Sequence, residues 1–255
     1  MVYQKFIPEG WNEKITHNED TNEFQGLVKH VDKDLNLHVD FSEGFGIVPR
    51  KEVDILAMEE DGNPKPQISL NKINRFIQFK VIDKDEDGKY ILSRKKLQQE
   101  AKDYFNEDLN KGDVLKGIVT NIRPYGAFVE IGAGVVGLLH IEDISVSRIK
   151  SPEERFKVGD KINVMVKDKS SGKIELTYKE LLGSWEDNIK DFNEKEVYEG
   201  IVRNIDNNKK GVFIELRPNL VGMAEYDENL TYGQKVNAFI KKIDSDKKKI
   251  KLIIK

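Results

Sequence analysis

Gly117-Ile-Val-Thr-Asn-Ile122 recurs as Gly26-Leu-Val-Lys-His-Val31 and as Gly200-Ile-Val-Arg-Asn-Ile205, and this repetition decides the fold. The three starts lie 91 and 83 residues apart, too far for a solenoid unit and suited to small independent domains. After the second start come Ala127-Phe-Val-Glu-Ile131 and Gly137-Leu-Leu-His-Ile141; after the third, Val212-Phe-Ile-Glu-Leu216 and Gly222-Met-Ala-Glu-Tyr226. Each repeat closes with two more alternating runs, Lys161–Lys167 with Lys173–Thr177 and Lys235–Ile240 with Ile250–Ile254. Five short period-2 runs in about 70 residues predict a closed barrel, because closure removes exposed strand edges. Ser151-Pro-Glu-Glu154, with an N-cap serine, an N1 proline and a capping-box glutamate, predicts a short helix after strand three. That order is the OB-fold. The expected architecture is mainly β, three tandem five-stranded OB barrels joined by short amphipathic helices.

The expected organisation is a tail at 1–20, barrel 1 at 21–98, a linker helix region at 99–110, barrel 2 at 111–182, a linker at 183–193 and barrel 3 at 194–255. Within 93–107, Leu97, Ala101, Tyr104 and Phe105 fall at helical spacing; within 179–192, so do Leu181, Leu182, Trp185, Ile189 and Phe192. Both stretches are read as helices lying against the neighbouring barrels. The tail, with Tyr3, Phe6, Ile7 and Trp11 among acidic residues, is either a partner-binding segment or a strand or cap covering the first repeat.

The 255 residues carry a net charge of −3. It is unevenly spread, −1 over 21–98, +2 over 111–182 and +3 over 194–255, so phosphate binding is permitted by the later blocks. The absence of cysteine excludes disulfides, thiolate metal sites and cysteine nucleophiles. No stretch approaches eighteen apolar residues, and the amino terminus lacks a secretory pattern, so a cytoplasmic chain with no membrane partner is expected. Gly132-Ala-Gly134-Val-Val-Gly137 matches a dinucleotide fingerprint, but a strand run follows it where a helix is required; it is read as a flexible hairpin turn. Asp83-Lys-Asp85-Glu-Asp87-Gly88 resembles a calcium loop whose twelfth position is Arg94, so it is read as a surface hairpin. The four histidines form no helical pair. No metal, no cofactor and no enzymatic activity are expected.

Strand parity in the second repeat places Ala127, Val129 and Ile131 inside the barrel and Phe128 and Glu130 outside. An aromatic sharing a face with a charge is read as a functional surface; the plainer alternative is an exposed ring covered by a linker helix. Tyr125, beside Gly126, joins that face if the strand bulges there. With His140 at the end of the next run and Lys167, Lys169 and Lys173 around the last hairpin, the set suits single-stranded nucleic acid, rings for bases and cations for phosphates.

The run Gly117–Ile131, with Gly137-Leu-Leu-His-Ile141 and Phe156-Lys-Val-Gly-Asp160, resembles the S1 RNA-binding domain. The resemblance implies an RNA face made of Tyr125, Phe128 and His140, with Asp168 and Lys173 as an acid/base pair on the last hairpin. In the third repeat Phe213 keeps the Phe128 place, Lys210 stands for Tyr125 and Glu225 for His140. In the first, the Tyr125 place holds Asp34 or Leu35, the Phe128 place Leu37 or His38, and Pro49 replaces His140. A repeat that keeps its core and loses its rings is read as a docking module. The resulting expectation is a monomeric protein that captures single-stranded mRNA on barrel 2, assisted by barrel 3, and meets the small ribosomal subunit through residues 1–98. A regulator of RNA decay or transcription, or a protein adaptor, are the alternatives.

Overall fold

The computed structural model describes residues 4–19, 21–55, 58–169, 173–206, 208 and 211–255. Barrel 1 is built from β2 (Glu23–Val31), β3 (Leu37–Phe41), β4 (Gly44–Val48), β5 (Phe76–Lys84) and β6 (Tyr90–Ser93), with β1 (Thr16–Asn18) added beside β2. Pairing of β2 with β5 closes it. Barrel 2 comprises β7 (Val114–Arg123), β8 (Gly126–Gly132), β9 (Val135–His140), β10 (Lys161–Asp168) and β11 (Glu175–Thr177). Barrel 3 comprises β12 (Val197–Asp206), β13 (Gly211–Arg217), β14 (Leu220–Glu225), β15 (Lys235–Asp244) and β16 (Lys249–Ile254). Barrels 2 and 3 are closed, and in all three the last strand runs parallel to the third. The chain is mainly β, as expected, with α1 at Pro66–Leu70, α2 at Arg94–Glu107 and α3 at Trp185–Ile189.

The recurring glycines have a steric reason. A Cβ on Gly26, Gly117 or Gly200 would lie 2.7, 2.4 or 2.5 Å from the side chain of Val39, Val129 or Ile214, which fills the barrel opposite. A barrel this narrow has no room for both. Each first strand also carries one extra residue just beyond its glycine, Lys29, Thr120 or Arg203, where the register shifts and the strand turns the barrel corner. Gly117→Ala is therefore expected to cost about 1–3 kcal/mol by overpacking, read as a lowered denaturation midpoint; an unchanged midpoint would show that Val129 moves aside freely.

Two expected helices differ from the periodicity. Pro152–Glu154 forms a single 3-10 turn with the anticipated capping box, and Phe156 just after it is the side chain that enters the core. Residues 179–192 break into a 3-10 turn at Lys179–Leu182 and the five-residue α3, because Gly183 adopts φ +81° and Ser184 caps a new start with Asp187. The first connector matches its pattern: Ser93 caps α2 by accepting from Lys96 N–H at 2.9 Å. Leu97, Ala101 and Phe105 of α2 are fully buried, in the apolar cluster of barrel 2.

The amino-terminal segment runs along both barrels: it adds β1 to barrel 1 and hydrogen-bonds Gln25 and Gln78 there, as a strand covering the first repeat would, and its first residues lie on barrel 2. Phe6 packs edge-on to Tyr104 and Phe105, Gln4 bridges Lys116 and Ile131, and Ile7 O accepts from Ala133 N–H at 3.2 Å. The Gly132–Gly134 turn, read from sequence as flexible, is buried beneath this segment and beneath Arg94 and Gln98. Arg94 is buried at the joint. It donates to both Glu9 carboxylate oxygens at 2.6 and 3.0 Å, to Asp54 at 2.6 Å and to Val53 O at 3.0 Å. Barrels 2 and 3 meet through a second ionic joint. Glu215 accepts from Ser147 Oγ at 2.5 Å and from Arg155 and Arg203 at 2.6 Å, while Ser147 N–H donates to Pro218 O at 2.9 Å.

Candidate nucleic-acid interface

The interior of barrel 2 is as the alternation predicts: Ala127, Val129 and Ile131 are fully buried. Across the β8–β9 ladder, Gly126 faces His140, Phe128 faces Leu138 and Glu130 faces Val136. A Cβ on Gly126 would lie 2.6 Å from Leu139 O and 3.1 Å from His140 Cα, so the bare residue lets His140 close over the strand entry. Tyr125 sits in the turn just before β8, is 50% exposed, and meets Phe128 edge to face at 6.2 Å and 83°. The irregularity of the β7–β8 ladder lies at Thr120 on β7, not beside Gly126 where the sequence reading places a bulge. The His140 Nδ1 accepts from Glu142 N–H at 3.4 Å, which holds the ring at the rim, and its Nε2 has no partner among the described residues.

Sequence reasoning missed two neighbours on this face. Asn121 pairs with Phe128 and Arg123 with Gly126, so both point outward, and both are exposed. Their two-residue spacing on β7 was the available signal. Of the hairpin lysines, Lys167 donates to Asp143 at 2.7 Å and Lys169 to Asn106 O at 2.8 Å, at the carboxyl end of α2. Lys179 shares Asp143 at 2.9 Å. Burial would raise the Asp143 pKa, but these two ammonium groups hold it below its ordinary value. Asp168 is exposed and accepts from Lys169 N–H at 2.8 Å; Lys173 is exposed, and 170–172 lie outside the described residues.

Glu130 departs from expectation. It faces outward, yet it is only 4% exposed, because Glu9 N–H and Gly134 N–H donate to it at 2.9 and 2.8 Å. Burial, with the Glu9 carboxylate nearby, pushes its pKa up to about 8. Glu9 is itself buried, but Arg94 and Lys72 outweigh that and keep its pKa well below the ordinary range. A raised native pKa stabilises fully below the ordinary carboxylate value and loses that contribution as pH climbs through the raised one. Wild type is therefore expected to lose thermal stability from about pH 5 to about pH 8, whereas Glu130→Gln loses less over the same range. Parallel melting curves at the two pH values check this, and equal slopes would refute it.

In barrel 3, Phe213 is half-buried opposite Met223, and Glu225 stands opposite Gly211 as His140 does opposite Gly126. Met223, Tyr226 and Ile253, with Lys241 and Lys251, line a groove of about 820 Å³ that also bears Glu225, Asp227 and Glu228. Lys210 lies outside the described residues. In barrel 1 the register settles the open choice. Leu37 points into the core, and His38 takes the Phe128 place, stacked on His30 at 4.0 Å and 3.1 Å from Asp32. Leu35 holds the Tyr125 place, and Pro49 replaces His140.

The S1 RNA binding domain matches residues 108–179, the segment that contains the paired rings and His140. Barrel 2 thus belongs to the S1 RNA-binding domain family. It is 35% identical over 198 residues to the small ribosomal subunit protein bS1 of Staphylococcus aureus strain COL, covering 70% of this chain and 50% of that protein. It is 36% identical over 218 residues to bS1 of Staphylococcus saprophyticus, covering 75% and 55%. The chain thus spans about half the length of the curated relatives it matches. Among solved structures, the chain is similar to GSP13 from Bacillus subtilis, 33% identical over 30% of this chain and 61% of that one, with a TM-score of 0.28. Among the described residues, no helix is long and apolar enough to cross a membrane.

Proposed function

We propose that the chain captures single-stranded RNA on the outer face of β8 and β9 and acts as an S1-type translation factor on the small ribosomal subunit. The observation that carries this reading is the edge-to-face pair Tyr125–Phe128, exposed beside His140 in an S1 barrel. Bases stack on the two rings, Arg123 and Lys173 draw the phosphates, and His140 and Asp168 offer hydrogen-bonding groups at the edges. Barrel 3 assists through Phe213, with Lys210 as an additional cation. Residues 1–98 face the subunit, consistent with a barrel 1 that has traded rings for a histidine pair. The similarity to bS1 proteins supports the ribosomal setting. The reading is of a cytoplasmic, monomeric binding protein with no catalytic role.

Fluorescence anisotropy of a labelled single-stranded RNA tests it. The logarithm of affinity should fall with the logarithm of salt concentration with a slope of about −0.7 per phosphate engaged. A slope near zero would remove the phosphate contacts from the reading. Sedimentation with small subunits at low and high salt separates a ribosomal protein from an RNA regulator acting elsewhere.

A further inference from the structure

The internal repetition exposes a surface that barrel 1 leaves open. In every barrel the second strand carries an outward acid paired across the ladder with an apolar residue of the third: Glu130 with Val136, Glu215 with Val221, and Asp40 with Phe45. At the first two, polypeptide from elsewhere in the chain fills the place. Glu130 takes the Glu9 N–H, and Glu215 takes Ser147 and Arg155 of the preceding barrel; the two acids are 4% and 5% exposed. Both joints bring in a cation from the preceding barrel, Arg155 onto Glu215 and Lys72 onto Glu9 beside Glu130.

Barrel 1 presents the same pair with nothing seated on it among the described residues. Asp40 is half-exposed, its carboxylate has no partner among the described residues, and Phe45 is 65% exposed. Residues 4–13 meet barrel 1 at Gln25 and Gln78 and barrel 2 at Ile131 and Glu130, and none of their hydrogen bonds reaches Asp40. The β3–β4 hairpin, residues 37–48, contains Asp40 and Glu43 and neither lysine nor arginine, so it repels phosphate and suits a cation.

We propose that Asp40 and Phe45 form a docking socket for a basic polypeptide segment of the small ribosomal subunit, seated as the chain's own segments are seated on Glu130 and Glu215. The proposal rests on the subunit reading above. The incoming segment places an arginine or lysine on Asp40 and an apolar side chain against Phe45, and an exposed aromatic of this kind is the anchor that dominates such contacts.

The test is co-sedimentation of the full chain with salt-washed small ribosomal subunits, in a Tyr125→Ala/Phe128→Ala background so that RNA capture by barrel 2 contributes little. Asp40→Lys and Phe45→Ser are each expected to weaken sedimentation about tenfold or more. In the otherwise wild-type chain, the same substitutions should leave binding of a labelled single-stranded RNA unchanged. Both positions are on the surface, and matching melting curves confirm that the variants fold. Parent and variants sedimenting alike would overturn the socket while leaving the subunit reading intact. A parent that fails to sediment at all would overturn both. A dimer of the free chain, seen by analytical ultracentrifugation and abolished by Phe45→Ser, would assign the face to a second copy and overturn the socket for the subunit.

Discussion

Replacing Tyr125 and Phe128 together with alanine is expected to weaken single-stranded RNA binding by about 2–6 kcal/mol, since each stacked base is worth about 1–3 kcal/mol. At the lower bound this is about thirtyfold in Kd, well within the reach of an anisotropy titration. The fold should survive. Tyr125 lies outside the barrel and Phe128 is only half-buried, while Ala127, Val129 and Ile131 fill the interior unchanged. The edge-to-face contact couples the rings, so the single substitutions should not sum to the double one. A folded double variant that binds RNA as tightly as wild type would dismiss this face and bring forward the reading of the exposed rings as a protein-binding surface.

The largest expected stability effect comes from Arg94→Met. The arginine is buried between two carboxylates, Glu9 and Asp54, that belong to different parts of the chain. Methionine fills much of the volume but removes the cation that both buried acids share, leaving Glu9 only Lys72, a loss of about 3–5 kcal/mol. Denaturant or thermal unfolding should show it. Adding Glu9→Gln removes one stranded charge and should recover part of the loss, a recovery that a purely steric role for Arg94 would not produce. If Arg94→Met alone leaves the midpoint where it is, water reaches the joint and the network contributes little to holding barrels 1 and 2 together.

Much of the candidate face on barrel 2 was legible because the relevant signals are local. Parity separates Phe128 from Ala127 and Val129, and the run order puts His140 at the end of the adjacent strand; its pairing with Gly126 is seen only in the structure. Arg123 and Asn121 obey the same alternation and were equally accessible. The lysines were not. Lys167 and Lys169 look identical to Lys173 in sequence, yet Asp143 and the carboxyl end of α2 engage the first two. Which cation remains available for phosphate depends on partners 24 and 63 residues away, and no local pattern records them.

The sequence by itself determined the three barrels. Their alternating runs, the glycines that make way for Val39, Val129 and Ile214, and the ring residues of barrel 2 are all properties of neighbouring positions. The tertiary structure alone decided what each outward position meets. Phe128 and Glu130 share a face two residues apart, yet one reaches solvent and the other is sealed beneath Glu9, 121 residues earlier. Asp40 has the same parity and the same cross-strand neighbour type, and it is left open. Periodicity reports which side of a strand a residue occupies, because side chains alternate every residue. What covers that side is set by contacts between distant segments, and these form only when the whole chain is folded.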